Sequence, residues 1–168
     1  MSPPPATVHV VFEERYWYPD DGGVVWIAGY QVVDAASGRF LARDAPELAE
    51  RGLRVATVAG ARFNAEALAS DAVSPGRELA LRRDRGNEHD GNAIAVDHGD
   101  GSAQLGWVPR ELAGELAPEL DAGATWSALA LREQRPSPRD PRSGVTMLLA
   151  RAAGIALQVQ PRRPPPAR

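Results

Sequence analysis

The sequence predicts a mainly β domain with one or two short helices. Two observations carry this prediction: short runs of β-favouring residues alternate with turn signals along most of the chain, and leucines recur at helical spacing in one segment. The length of 168 residues fits one domain that can bury its own core. With no cysteine, the chain has no disulfide framework and no thiolate zinc or iron–sulfur site.

The N-terminal part predicts a β-hairpin followed by a short helical turn. Residues 7–18 and 24–33 are rich in β-branched and aromatic residues, and Pro-Asp-Asp-Gly-Gly separates them. A turn is expected at Ser37-Gly38, followed by a short strand. One helical turn is then expected at residues 47–51, which Gly52 ends.

The middle of the chain predicts four short strands. They are LRVATVAG from Leu53, ELALRR from Glu78, NAIAV from Asn92 and AQLGWV from Ala103. Gly, Asn, Asp and Pro-Gly turn signals lie between them at the spacing typical of an all-β barrel or sandwich.

One clear helix is predicted after these strands. Pro109 suits a first helical turn, and leucines recur every fourth residue from Leu112 to Leu120, so they line one face. Pro118 falls inside this stripe and is expected to kink or split the helix, and Gly123 is expected to end it.

The C-terminal part predicts two further strands, at residues 125–132 and 145–150. The intervening loop, EQRPSPRDPRSG, is expected to be exposed and mobile because of its Pro and Arg content. Residues 155–160 alternate as an edge strand would. The Pro- and Arg-rich residues 161–168 are expected to be a disordered tail, which either adds nonspecific attraction to phosphates or is simply solvated.

The sequence argues against catalysis and against a metal site. It contains no HExxH, no GxxxxGK[ST] and no GxSxG, and its three histidines are far apart. An acid–base pair of His89 and Asp90 is disfavoured, because neighbours on a strand point to opposite faces. We therefore expect no enzymatic activity, no cofactor and no metal.

The chain is expected to be cytoplasmic and to make no use of a membrane. Its start, MSPPPATVHV, has neither the basic nor the apolar region of a signal peptide. Its apolar stretches fall short of the roughly 20 residues that a membrane span needs. The net charge of −3 combines an acidic body with a basic C-terminal end.

The most informative segment is NEHDGNAIAV, at residues 87–96. Its Asn and Asp side chains are typical of a turn, since they bond neighbouring backbone amides. They also suit a second interpretation, in which Asp90 and the Asn side chains converge to recognise a hydroxyl or a sugar–phosphate group.

Four segments together resemble the HIRAN domain family. They are RVATVAGARF from Arg54, GRELALRR from Gly76, NEHDGNAIAV from Asn87 and LGWVPRELA from Leu105, in the family's order and spacing. The resemblance implies a small OB-like β-barrel, to which this chain adds the N-terminal hairpin. It also implies a pocket that captures the 3′-hydroxyl end of single-stranded DNA. The family occurs in replication-fork repair proteins and in small stand-alone bacterial proteins.

The resemblance also implies how the chain is divided. Residues 1–52 form an extension that packs on the barrel or is continuous with it, residues 53–160 form the barrel, and residues 161–168 form the tail. The helicase motor and the RING zinc finger of the large relatives have no counterpart here. A helicase or nuclease is therefore expected as a partner in trans.

The family's arginine-aromatic-aromatic element falls on Arg62, Phe63 and Asn64. Phe63 would stack on the terminal base and Arg62 would contact a phosphate. Asn64 replaces the second aromatic residue. If the family is set aside, Phe63 also suits a place in the core and Arg62 a surface salt bridge.

The second group of implied contacts follows the turn. Asp90, with Asn87, would accept a hydrogen bond from the terminal hydroxyl and would repel a terminal phosphate. His89 and Trp107 would lie beside the nucleotide and Arg110 near the backbone, although Trp107 could equally face inward. The complete set of implied DNA contacts is Arg62, Phe63, Asn64, Asn87, His89, Asp90, Asn92, Trp107 and Arg110, of which Asn92 is expected to be structural as well.

A protein–protein adaptor is the alternative function. Its working surfaces would be the aromatic hairpin and the Pro-rich tail. The weak positive charge of residues 51–90 favours this alternative, because nonspecific affinity for DNA comes mainly from basic surface.

Overall fold

The computed structural model describes residues 7–20, 23–34, 37–151 and 156–160, with side chains for residues 26–34 and 37–151. Nine strands form one sheet within these residues, accompanied by short helices. The strands are β1 (Thr7–Asp20), β2 (Gly23–Val33), β3 (Leu53–Thr57), β4 (Glu78–Arg83), β5 (Ile94–His98), β6 (Gln104–Trp107), β7 (Trp126–Arg135), β8 (Gly144–Arg151) and β9 (Ala156–Gln160). The helices are α1 (Pro46–Glu50), α2 (Ala65–Ala69) and α3 (Arg110–Asp121), with 3₁₀ turns at Ala61–Phe63 and Asp71–Val73.

The long strand β7 joins the two branches of the sheet. One edge pairs with β8, and β8 pairs in turn with β3. The other edge pairs first with β4, at Ala128 and Leu129, and then with β2, from Arg132 to Arg135. A bulge between Ala130 and Arg132 marks the point at which this edge changes partner. The branches β4-β5-β6 and β2-β1-β9 therefore diverge from one strand, and the sheet curls.

The predicted N-terminal hairpin is confirmed, and it is continuous with the sheet. β1 and β2 pair antiparallel from His9 opposite Val33 to Asp20 opposite Gly23, with a bulge after Glu13. β9 pairs parallel to β1 and ends the strand order, as expected for an edge strand. The side chains of the hairpin aromatics at residues 16–18 and the whole tail at residues 161–168 lie outside the described residues.

Two hydrophobic clusters lie on opposite faces of the β7–β8 ladder. The alternation of side chains along a strand sends Val145, Met147 and Leu149 into the larger cluster, inside the curled branch. Leu148 and Leu131 face the smaller cluster, under β2 and α1. All five are fully buried, and burial of each side chain stabilises the fold by roughly 1.5–3 kcal/mol.

α3 closes the larger cluster with the predicted leucine face. Leu116 is buried, and Leu112 and Leu120 pack against the cluster at its edge. Of the two outcomes expected at Pro118, a kink or a split, the split does not occur, because one helix runs through this residue. Pro118 and Gly114, the residue four positions earlier, are both exposed, so water can reach the carbonyl group that the proline leaves without a donor. None of the helices in the described part of the chain has the length and apolar character that crossing a membrane requires.

The loop between β7 and β8 corrects the expectation of a uniformly exposed segment. The Arg142 side chain is only 6% exposed and pairs with Glu133 at 2.6 Å. It also donates to the carbonyl oxygens of Leu68 and Ser70 at 3.2 and 3.0 Å. Burial by itself raises the pKa of Glu133, but hydrogen bonds from Arg135 and Arg142 outweigh it and hold the pKa below its usual value. Arg142 thus anchors this loop to residues 68–70.

The mainly β fold with an added hairpin is confirmed. Of the predicted strands, the short one expected after Ser37-Gly38 is wrong, because only an isolated bridge between Val33 and Phe40 forms there. The other predicted strands are present, and β7 continues three residues beyond its predicted end, to Arg135. The short helical elements at Ala61–Phe63, Ala65–Ala69 and Asp71–Val73 were not predicted, since segments this short carry almost no periodic signal. The division at residues 52 and 160 stays a prediction.

Gly29 is expected to be essential for joining the hairpin to β7. Its φ is +145°, and a Cβ at this position would meet the Leu131 carbonyl oxygen and lie 2.7 Å from the Arg132 Cα. Gly29→Ala is therefore expected to lower the free energy of unfolding by more than about 2 kcal/mol, as measured by urea denaturation followed by tryptophan fluorescence.

Gly38→Ala is the matched control. Gly38 has a φ of +71°, but the space around its Cβ position is open. Gly38→Ala should lower the free energy of unfolding by about 1 kcal/mol, because alanine is disfavoured in the left-handed backbone conformation. Equal losses in the two variants would show that the close approach at Gly29 is not important.

Candidate functional site

The turn between β4 and β5 is built by its own polar side chains. The Asn87 Oδ1 accepts hydrogen bonds from the backbone amides of His89 and Asp90 at 2.9 and 3.0 Å. The Asp90 Oδ1 accepts from the amide of Asn92 at 2.9 Å. This confirms the turn interpretation of the segment and corrects the assumption that His89 and Asp90 lie on a strand. The second carboxylate oxygen of Asp90 takes no part in these hydrogen bonds of the turn.

Arg83 fastens this turn to the end of α3. Its guanidinium donates to the carbonyl oxygens of Ala93 and Gly91 at 2.8 and 3.0 Å. It also pairs with Asp121, the last residue of α3, at 3.0 Å. The hydrogen bond to Asp121 raises the pKa of Arg83, and the same bond holds the pKa of Asp121 below its usual value. Arg83 therefore fixes the backbone that presents Asp90.

The turn forms one wall of a cavity of about 290 Å³, which we call the Asp90 pocket. Its floor is apolar and its rim is polar, so a small group with a few polar atoms suits it. The lining brings together five of the nine predicted contact residues. These are Asn87, His89, Asp90, Trp107 and Arg110.

Ala59 and Trp107, which also line the pocket, depend on a close approach between two backbones. Ala59 and Trp107 exchange two hydrogen bonds, of 2.8 and 2.9 Å. Gly106 makes this possible, because a Cβ there would meet the Ala59 carbonyl oxygen and lie 2.8 Å from Val58. The Trp107 side chain is half-buried and lines the Asp90 pocket, which decides between the two orientations that the sequence left open.

Phe63 lies beside the pocket and faces solvent. It is 77% exposed, so the alternative that it belongs to the core is wrong. The Arg62 guanidinium lies over its ring at 4.8 Å from the centroid, a cation–π contact. The position of a Cβ on Gly60 would be 3.7 Å from Trp107 Cδ1 and 3.9 Å from Phe63 Cδ2. The two aromatic rings are thus near neighbours, with Gly60 between them.

Asn64 and Asn92 have structural contacts instead of facing the Asp90 pocket. The Asn64 side chain donates to the Leu105 carbonyl oxygen at 3.1 Å. Asn92 is exposed and closes the turn through its backbone amide. Phe63 and Asn64 instead line a wider neighbouring groove of about 640 Å³, which also includes Gln104.

Two arginines offer positive charge at this site: Arg110 lines the Asp90 pocket, and Arg62 lies over the Phe63 ring. Arg62 and Arg110 are exposed. Within the described residues, neither pairs with a carboxylate, so the salt-bridge alternative for Arg62 is not supported. No three His, Asp or Glu side chains in the described ranges lie close enough together to hold a metal ion.

The family comparison decides the relationship of the chain. A family model described as the HIRAN domain matches residues 52–140, just over half of the sequence. The chain belongs to the HIRAN domain family. HIRAN domains are nucleic-acid-binding modules, so this membership supports binding of nucleic acid. The curled sheet is consistent with the OB-like barrel that the resemblance implied.

Two solved structures are similar to this HIRAN protein. One is the HIRAN domain of human HLTF, at 27% identity and a TM-score of 0.44, covering 59% of this chain and 76% of that one. The other is a protein from Lactobacillus plantarum, at 22% identity and a TM-score of 0.38, covering 57% of this chain and 91% of that one. A comparison with curated proteins finds no match.

The residues that hold the Asp90 pocket in shape were not predicted from the sequence. Arg83 and Asp121 are 38 positions apart and meet only in the fold. The sequence offers one local signal, an arginine at the end of a predicted strand and directly before a turn, but this signal does not identify Asp121 as its partner. The adaptor alternative depends on hairpin and tail side chains outside the described residues, and it stays untested.

Asp121→Asn is expected to loosen the turn that carries Asp90. It removes the ionic partner of Arg83, so the amides of Asp90 and Asn92 should exchange with solvent faster, as measured by hydrogen exchange with NMR detection. Because the pKa of Asp121 is lowered in the folded state, the contact is complete above the ordinary aspartate pKa of about 3.9 and is lost as the pH falls through the lower folded value.

Glu115→Gln is the control for this variant. It removes another salt bridge of α3, between Glu115 and Arg54, far along the helix from the turn. The exchange rates of the turn amides should stay at the wild-type values. A similar acceleration in both variants would mean that the turn responds to helix stability and not to the Arg83 contact.

Proposed function

We propose that this HIRAN domain binds single-stranded DNA and holds its 3′-hydroxyl end in the Asp90 pocket. The observation that carries the proposal is the convergence of Asp90, Trp107 and Arg110 on one cavity, directly beside the exposed ring of Phe63. A carboxylate, a flat ring and a cation are the groups that a terminal nucleotide requires for its hydroxyl, base and phosphate.

The Asp90 carboxylate supplies the selectivity. One of its oxygens holds the turn through the Asn92 amide, and the other accepts from the terminal hydroxyl. A terminal phosphate would bring like charge against the same carboxylate and would be rejected. A strand with a free 3′ end is therefore preferred over a blocked one.

Phe63 and Trp107 supply the stacking surface. Phe63 is too exposed to contribute to the core, and an exposed aromatic ring beside a pocket is the usual platform for a base. Arg62 lies over the Phe63 ring, and Arg110 lies at the start of α3. Both guanidiniums are available for backbone phosphates without breaking an ion pair among the described residues.

The biological setting follows from the end preference. A module that recognises free 3′ ends serves DNA repair or replication, and the chemistry belongs to a helicase or nuclease acting in trans. The protein works in the cytoplasm and acts as a binding module without a cofactor.

Asp90→Asn tests the proposal. Fluorescence anisotropy compares short labelled strands that end in a 3′-hydroxyl or a 3′-phosphate. The wild type should prefer the hydroxyl end by at least about tenfold. The variant keeps the turn, because the asparagine oxygen still accepts from Asn92, but it should lose most of this preference.

Asp140→Asn is the matched control for charge. Asp140 lies in the loop between β7 and β8, and the substitution changes the net charge by the same amount. The end preference should be unchanged in this variant. Equal affinity of the wild type for both ends would overturn end capture, and no binding of either strand would overturn the DNA-binding proposal.

Phe63 is expected to act through its flat ring. Phe63→Leu keeps an apolar side chain but removes stacking, which should weaken binding of a hydroxyl-ended strand by roughly 1–3 kcal/mol. Phe63→Tyr should retain wild-type affinity in the same anisotropy titration. If leucine bound as tightly as tyrosine, apolar area and not stacking would explain the contribution of this residue.

A further inference from the structure

Two phenylalanine rings are exposed at the surface. Among the side chains that the structure describes, Phe40 and Phe63 are the large hydrophobic residues that face solvent, at 63% and 77% exposure. Each directly follows an arginine, Arg39 or Arg62. An exposed ring is suited to stacking on another flat ring. Phe40 does not line the Asp90 pocket, so capture of the 3′ end does not account for its exposure.

The backbone around Phe40 is fixed although its ring is exposed. Phe40 forms an isolated bridge with Val33. The next amide, of Leu41, donates to the Val32 carbonyl oxygen at 2.9 Å, and the Leu41 side chain packs against the smaller hydrophobic cluster. The ring is therefore presented to solvent from an anchored segment, which lowers the entropy cost of stacking a base on it.

Two exposed arginines flank Phe40. Neither Arg39 nor Arg43 pairs with a carboxylate of the described residues. Arg43 uses one nitrogen, Nη2, to donate to the hydroxyls of Thr57 and Thr146 at 3.2 and 3.5 Å. A guanidinium carries five N–H donors, so both arginines can bind a backbone phosphate without breaking an ion pair.

The end of β3 connects these arginines to the Asp90 pocket. Ala56 and Val58 belong to the larger hydrophobic cluster. Because side chains alternate along a strand, Thr57 and Ala59 face the other way, outward. Ala59 is exposed and lines the Asp90 pocket, and Thr57 accepts the hydrogen bond from Arg43. Two residues of extended backbone span about 7 Å, so the Arg43 guanidinium lies roughly 10 Å from the Ala59 backbone, on the same face.

We propose that the DNA strand held at the Asp90 pocket continues across the outer face of the β3 end to Arg43 and Phe40. This inference rests on the proposed function, because it takes the 3′ end to be in the Asp90 pocket. Phosphates of the preceding nucleotides contact Arg43 and Arg39, and a base further along the strand stacks on Phe40. The binding surface thus includes residues 39–43, which precede the family match at residues 52–140.

The first test uses strand length and the Phe40 ring. Oligothymidylates of two and twelve nucleotides, each with a free 3′-hydroxyl, compete with a labelled strand in fluorescence anisotropy. The dinucleotide occupies only the Asp90 pocket, whereas the longer strand also reaches Phe40. Phe40→Leu should weaken binding of the longer strand at least about fivefold and change binding of the dinucleotide less than about twofold. Phe40→Tyr, the matched control, keeps a flat ring and should bind both strands as the wild type does.

The second test uses salt dependence and Arg43. Arg43→Gln removes the charge but keeps a donor for the Thr57 hydroxyl. For the longer strand, the slope of log Kd against log salt concentration should become shallower by about 0.7, the value for one phosphate contact with a single strand. Arg139→Gln is the control, because Arg139 is an exposed arginine of the loop between β7 and β8. The slope should stay at the wild-type value in this variant.

The outcomes separate this inference from end capture. The continuation is overturned, and end capture stands, if Phe40→Leu and Arg43→Gln bind the longer strand as the wild type does while the preference for a 3′-hydroxyl end persists. Equal weakening of the dinucleotide and the longer strand would also overturn it. If both variants weaken only the longer strand but the wild type binds hydroxyl and phosphate ends equally, end capture is overturned and residues 39–43 remain a strand-binding surface.

Discussion

The antiparallel pairing of β7 with β8 is the contact on which the rest of the structure depends. Both strands are buried on two faces, so successive side chains enter different hydrophobic clusters, as Met147 and Leu148 do. The other edge of β7 pairs first with β4 and then with β2, and the bulge after Ala130 lies where the partner strand changes. Both the curled branch that carries the Asp90 pocket and the hairpin branch are positioned by this one ladder.

The site itself shows how few side chains are needed to present a carboxylate. Asn87 and Asp90 use oxygen atoms to shape the turn, and Arg83 holds the carbonyl groups beneath it. The backbone at Trp107, another lining residue, is held by two hydrogen bonds to Ala59. Because both the turn and the backbone at Trp107 are fixed by bonds within the protein, these parts of the pocket are formed before a ligand arrives, which lowers the entropy cost of binding.

Much of the fold was predictable because its signals are local. Alternation and turn residues located the strands, and the four-residue leucine spacing located α3 on the core. The turn at residues 87–92 was also predictable from its Asn and Asp content, and the family resemblance placed Asp90 and Trp107 together. Two features were not accessible: the inward course of Arg142 and the contact of Arg83 with Asp121. Each depends on partners far along the chain, so local composition suggested only exposed arginines.

The smaller hydrophobic cluster, under β2 and α1, also limits where the chain can be truncated. The family match begins at residue 52, but Leu129, Leu131 and Leu148 are covered by the segment before it, including Val32 and Leu48. A fragment that starts at residue 52 would expose these leucines as one contiguous apolar patch. Such a patch promotes aggregation or binding to another apolar surface. Residue 52, where the family match begins, is therefore not a suitable N-terminus for a truncated form of this protein.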